Sequence, residues 1–361
     1  MGFVYPKINY LFVTSVTMSA AAAFSYLMGI MQNLYGLLVL ALLNLGLLGF
    51  FEAGCQIFLL QTWGKEAMPF IQVTYFMFGV GAMAAPLISE PFLTNHEGED
   101  ERNRESSHLQ HSPSSGPLAV QYAYAIVAGN FVFCSLVAMI SWWKTPPLSQ
   151  HPSRQTNNSN TNGKKEVSPF WKTVVVTLHL IFVHVYAGIE IGVGSFLVTF
   201  AYQSGLHLSK QRASYMTTMF WTLFTVMKLG ALLVIPIIGN GNNILLGIGI
   251  TTVGSAIIVP YGATDETMLW IGIGLVGFGI SSIFACALRY LEGFFPVTSM
   301  IGAMNSFMFI SGEFTFPFLI SAFIEDEPRI MPWVVMGCTI VMIITYPIIM
   351  LLCNTKLKQE R

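Results

Sequence analysis

Runs of about twenty apolar residues recur along the whole chain, and they leave it few possible folds. As a helix, a run of that length spans the hydrocarbon thickness of a bilayer. Backbone placed in lipid must pair its own N–H and C=O groups, which a helix does within the segment. Ten such spans are predicted, near Tyr10–Met31, Leu34–Thr62, Pro69–Leu93, Pro117–Trp143, Val174–Tyr202, Tyr215–Ile238, Ile244–Tyr261, Met268–Phe295, Met300–Ile324 and Pro332–Cys353. Of the 361 residues 54% are hydrophobic and 10% charged, where an ordinary soluble domain carries about 25% charge. No segment shows the period-two alternation of a membrane β-barrel. The chain therefore reads as an all-α polytopic membrane protein.

Two hydrophilic stretches punctuate the spans. Residues 94–116 are acidic and Ser-rich and are expected to form an outer loop. Residues 144–168, with HPSRQTNNSNTNGKKE, read as a cytoplasmic linker. The expected organisation is a four-span bundle over 1–143 and a six-span bundle over 169–361. Lys7, Lys65, Lys144, Arg154, Lys164, Lys165, Lys356, Lys358 and Arg361 fall on one side, and the acidic groups 97–105, 265–266 and 325–327 on the other. Lys210 and Arg212 break the pattern. By the positive-inside rule both termini and the linker are cytoplasmic. The Asn-x-Ser/Thr site at Asn157 then lies on the cytoplasmic side, away from glycosylation.

Ionisable residues inside spans are costly, at least about 2.5 kcal/mol for a charge at the helix centre. Each one is therefore a candidate site. Glu52 lies mid-span, with Gln56 about 40° and Trp63 about 20° round the helix from it. Together they make a stripe of acid, amide and indole; the alternative is a buried acid satisfied by a neighbouring helix. Glu190 lies mid-span in VYAGIEIGVGSF, with Tyr186 and His179 on its face. Lys228 lies in the next span, so a structural ion pair with Glu190 is the competing reading. Glu313 shares a face with Ser306 and Ile310 ahead of Pro317. Arg289 and Glu292, three apart near a span end, read equally as interfacial residues with an i,i+3 pair.

Several function classes are excluded or unsupported. A net charge of −1 gives nucleic acid no basic surface. The five cysteines form no CxxC pair, and no metal or disulfide role is assigned to them. Gly272-Ile-Gly274-Leu-Val-Gly277 matches GxGxxG but lies inside an apolar span with no preceding strand, so close helix packing is the expected role. Gly188-x-x-x-Gly192 is read in the same way. HExxH, P-loop and GxSxG motifs are absent, and no enzyme is expected.

At these residues the chain resembles a known family. GFFEAGCQIFLLQTWG (49–64) followed by PFIQVTYFMFGVGAMAAP (69–86) resembles the fourth and fifth helices of the sodium-dependent glucose transporter-like branch of the major facilitator superfamily, relatives of bacterial fucose–proton symporters. Tyr186-x-Gly188-x-Glu190 is similar to its seventh helix, and Phe220-Trp221 with Lys228 to its eighth. Ser281-Ser282-Ile283-Phe284, Glu292 and Pro296-Val297-Thr298 resemble its tenth helix, and Gly312-Glu313 with Pro317 its eleventh. The resemblance implies a two-bundle fold whose N-terminal bundle is incomplete. The first span here corresponds to the family's third helix, and residues 2–9 to the preceding loop.

What the resemblance implies is a secondary active transporter of a glucose-like sugar at the plasma membrane, working by cation-coupled symport. Glu52, Gln56, Trp63, Tyr186 and Trp221 would contact substrate. Glu190, Lys228, Glu313 and Glu292 would serve ion coupling or charge pairing, with Na⁺ or H⁺ as the coupling ion and no cofactor. An amide beside a carboxylate suits a neutral, hydroxyl-rich cargo because it both donates and accepts. Two alternatives stay open: a non-transporting membrane protein that pairs with or regulates a full-length relative, and a transporter of another neutral organic solute.

Overall fold

The computed structural model describes residues 9–63, 70, 73–89, 92, 120–144, 169–295 and 299–357. The expected outer loop, the linker, the Lys65 turn and the Pro296-Val297-Thr298 motif lie outside the described residues. Every regular element among those described is helical: α1 Tyr10–Ile30, α2 Leu34–Trp63, α3 Val73–Ser89, α4 Val120–Lys144, α5 Pro169–Gln203, α6 Lys210–Tyr261, α7 Glu266–Ile280, α8 Ile283–Glu292, α9 Ser299–Phe323 and α10 Ile330–Leu352. Eight stretches among these are long and apolar enough to cross a membrane, and α3 is a shorter apolar helix. The all-α membrane fold expected from the apolar runs is the one observed.

Two compact units emerge. The first comprises Met1–Tyr75 with Ile88–Asn160, and the second Phe76–Leu87 with Thr161–Arg361. The middle of α3 thus groups with the second unit, across the boundary at 143 expected from the sequence.

In the first unit α1 packs on α4 through small side chains, with Ala21, Ala22 and Ala128 buried. Ser135 Oγ lies 3.1 Å from Ser15 Oγ and 2.7 Å from Ser19 Oγ. Asn44 of α2 donates to Ser25 of α1 at 3.2 Å, and Tyr10 stacks on Phe58 with centroids 4.7 Å apart. Asn9 starts the unit by capping Leu11 N–H at 3.0 Å.

The second unit is built round α5, seventeen of whose 35 residues are buried. A straight helix of the 52 residues of α6 would be about 78 Å long, more than twice the hydrocarbon thickness. The chain breaks at Gly239, whose φ of 81° is left-handed and suits glycine. Both parts of α6 then pack against α7. A Cβ on Gly277 would lie 2.8 Å from Phe220 O of the first part, and one on Gly279 would lie 2.7 Å from Gly247 O of the second. Helical segments therefore stand on both sides of Gly239, where two spans were predicted, and they double back; the stretch apolar enough to cross a membrane is Leu233–Tyr261. The glycines of the GxGxxG match are packing residues, as expected: Gly272 abuts Ile258, Gly274 abuts Leu223 and Gly277 abuts Phe220.

The predicted span at Met268–Phe295 is interrupted at Ser281–Ser282, which separates α7 from α8. Ser282 makes no side-chain cap to α8. Its Oγ accepts instead from Asn243 Nδ2 of α6 at 2.7 Å, and the same Nδ2 lies 3.3 Å from Cys286 Sγ. One amide thus ties the start of α8 to α6.

Helices α5 and α9 run in the same direction in close contact. His179 Nε2 donates to Asn305 Oδ1 at 2.9 Å with both side chains buried, and His184 Nδ1 donates to Met308 O at 3.3 Å. A turn further on, Gly312 presses on the His184 carbonyl, Gly188 on Phe316 and Gly192 on Ile320. Glycine on both helices lets the backbones approach, as the sequence reading of Gly188 and Gly192 expected.

Candidate functional site

Tyr186, Glu190 and Gly194 recur every four residues on α5 and so share one face of it. On α6, Trp221, Thr225 and Lys228, four and three residues apart, likewise share a face. The two helices oppose each other with Gly194 against Trp221, where a Cβ on the glycine would strike the indole. Nearer the opposite end of this contact, the Glu190 charge acts on the Lys228 ammonium. The glycine sets the depth at which the indole sits, and the two charged side chains act on each other from the same helix pair.

The surroundings are aromatic and dry. Glu190 is 4% exposed, Trp221 6% and Tyr186 1%. The Trp221 ring meets Phe220 and Phe224 edge-on at 5.1 and 5.4 Å, and Phe78 of α3 edge-on at 6.1 Å. Lys228 Nζ sits 4.1 Å from the Phe224 centroid; such cation–π contacts contribute about 0.5–2 kcal/mol. Tyr186 lies parallel to Phe284 at 5.9 Å and near Phe309 at 6.2 Å. A carboxylate and an ammonium between aromatic faces can accept from and donate to an uncharged polyhydroxyl molecule.

The other predicted residues occupy different surroundings. Glu313 is half-buried on α9, beside the Gly312 contact with α5. Glu292 is exposed at the end of α8, and Arg289 is exposed one turn earlier. In the first unit Glu52 is exposed on α2. Trp63, 46% exposed, stacks on Phe70 with centroids 4.2 Å apart. The Gln56 side chain lies outside the described residues. Two open grooves of about 400 and 370 Å³ are lined by Ser19, Ala22 and Tyr26, and by Met219, Leu223 and Gly274 among others. Both are almost wholly apolar and contain none of the predicted site residues, so the buried α5–α6 cluster is the better candidate.

Residues to which the sequence assigned no site role join that cluster: Gly194, Phe78, Phe284, Phe309 and Thr225. Gly194, in GVGS, was the one visible as a small residue a turn beyond Glu190.

A polytopic helical bundle with charged and aromatic residues buried inside a span has the make-up of a membrane transporter. The chain belongs to the Major Facilitator Superfamily, whose family model matches residues 5–317. It is 23% identical over 315 residues to the sodium-dependent glucose transporter 1 of Xenopus laevis, covering 86% of this chain and 61% of that protein. It is 26% identical over 299 residues to the protein of the same name from Danio rerio, covering 79% and 49%. The chain thus spans 49–61% of the length of these two relatives. The human protein of that name is 22% identical over 378 residues, covering 100% of this chain and 70% of its own length. In fold the chain resembles the superfamily transporter FucP in its outward conformation, with a TM-score of 0.55 at 14% identity, covering 96% of this chain and 85% of that one. The superfamily is one of transporters, in keeping with the absence of enzyme motifs.

Proposed function

We propose that this superfamily transporter moves a glucose-like sugar by cation-coupled symport at the plasma membrane, with its termini cytoplasmic. The observation that carries the reading is the buried Glu190 carboxylate acting on the half-buried Lys228 ammonium among Tyr186, Trp221 and Phe224. An electrically balanced polar spot between aromatic faces suits a neutral polyol better than an ion or an apolar solute. The names of the relatives, a sodium-dependent glucose transporter and a fucose:proton symporter, support the same cargo class. In this reading Glu52 and Gln56 hydrogen-bond sugar hydroxyls, and Trp63 offers a further aromatic face. Glu190 or Glu313 carries Na⁺ or H⁺, and transport is coupled only where ion occupancy changes the preferred conformation.

Uptake of labelled glucose into cells expressing the chain, with and without external sodium or a proton gradient, tests this. Uptake stimulated by either gradient and reduced in Glu190→Gln supports it. Robust surface expression with no saturable uptake of any sugar would overturn it and favour a partner or regulatory role.

A further inference from the structure

Six threonines lie on α6, and five of them use the hydroxyl in the same way. Thr217, Thr218, Thr222, Thr251 and Thr252 each donate to the carbonyl four residues back, at 2.7 to 3.1 Å. That is the ordinary arrangement for a hydroxyl on an apolar helix. Thr225 departs from it. Its side chain is 3% exposed, and its Oγ1 has no hydrogen-bond partner among the described residues. The hydroxyl turns toward Gly79 of α3, where an added Cβ would strike Oγ1 itself.

Leaving a buried hydroxyl unpaired costs about 1–3 kcal/mol, whereas valine has the same shape and no such cost. The other five threonines of α6 all take the carbonyl-directed rotamer, and Thr225 alone among them does not. The position also fixes what the hydroxyl can meet. Trp221 lies one turn before it and Lys228 one turn after, on the same face that meets Glu190 and Gly194 of α5. A metal cation placed there would sit beside the Lys228 ammonium and be repelled. A neutral hydroxyl meets no such penalty and can both donate to and accept from Thr225.

The geometry points to Thr225 as a substrate-binding residue that pairs with one hydroxyl of a polyol, covered by Gly79 in this conformation and uncovered when α3 draws back from α6. This deepens the sugar-transport reading and rests on it. It assigns a hydroxyl-specific contact to the α3–α6 face beside Trp221, and it gives Gly79 the role of keeping that contact coverable, since any larger residue would occupy the space.

The test uses the full chain with Thr225→Val and Thr225→Ser. Uptake and purified-protein thermal shifts are measured with D-glucose and with its series of singly deoxygenated analogues. Wild type should discriminate against one analogue in particular. Thr225→Val should lose that discrimination, with KM for glucose rising about 3–10-fold, the value of one hydrogen bond. Thr225→Ser should restore both, and the valine variant should melt no lower than wild type. Unchanged selectivity and KM in Thr225→Val, with wild-type glucose uptake intact, would overturn this assignment alone. A valine variant that melts clearly lower would also overturn it, since the hydroxyl would then be holding the fold. If wild type neither transports nor is stabilised by any of the sugars, the substrate class and the Thr225 contact fall together.

Discussion

Gly254→Ala and Gly249→Ala, one turn and a half apart on α6, make a sharp test of how this bundle is held. Gly249 has open space where a Cβ would go, so alanine there gains the helix preference of about 1 kcal/mol over glycine. At Gly254 the Cβ would lie 2.7 Å from Gly272 O and 2.9 Å from Val276 N, where ordinary contact begins at 3.4 Å. Both obstacles are backbone and cannot rotate away, so α6 and α7 must part by about 0.7 Å. Overpacking of that kind costs about 1–3 kcal/mol. The two variants therefore differ by roughly 2–4 kcal/mol, a separation of roughly 5–15 °C in melting temperature. Thermal unfolding in detergent, followed as loss of the monodisperse peak, reads it directly. If Gly254→Ala melted as high as Gly249→Ala, the close α6–α7 contact would be wrong. The packing role given to Gly272, part of the GxGxxG match, would go with it.

Glu190→Gln should destabilise the second unit by about 1–3 kcal/mol, because it removes the carboxylate whose charge acts on the half-buried Lys228 ammonium; Lys228→Met in the same chain should recover most of the loss. Additive single losses in a double-mutant melting cycle would contradict that coupling. Glu52→Gln should abolish or uncouple sugar uptake while leaving surface expression intact, and normal gradient-driven uptake would remove Glu52 from the mechanism. Asn305→Leu should cost about 1–3 kcal/mol by orphaning the buried His179 imidazole, a loss that His179→Phe in the same chain should relieve and detergent melting would register. By contrast, Arg212→Gln should change the melting free energy by under about 1 kcal/mol, because the Arg212–Glu266 pair, 3.1 Å apart, is exposed to solvent on its arginine side; a larger loss would mean the pair does more than join the ends of α6 and α7.

How much of this could be read from residues alone depends on what each residue costs when misplaced. The spans were legible because a bilayer admits only long apolar helices, so periodic turns and loops had little room to mislead. Glu190 and Lys228 were legible for the same reason: a charge inside a span is too expensive to be casual. The break at Ser281–Ser282 was hidden, because serine on an apolar helix normally bonds back to its own backbone. Only the Asn243 amide, 39 residues away in sequence, draws the Ser282 hydroxyl out of that habit. The grouping of Phe76–Leu87 with the second unit was hidden too, since it depends on glycine meeting threonine and phenylalanine meeting tryptophan across distant segments. Thr225 is the extreme case. It has the same type, the same helix and much the same apolar neighbours as Thr217, Thr218 and Thr222, and no composition or periodicity separates them. What does separate it is the missing side chain at Gly79, which leaves its hydroxyl a direction to turn other than its own backbone. Charged residues in a membrane chain therefore advertise themselves, whereas a neutral polar residue acquires a role only from what stands opposite it.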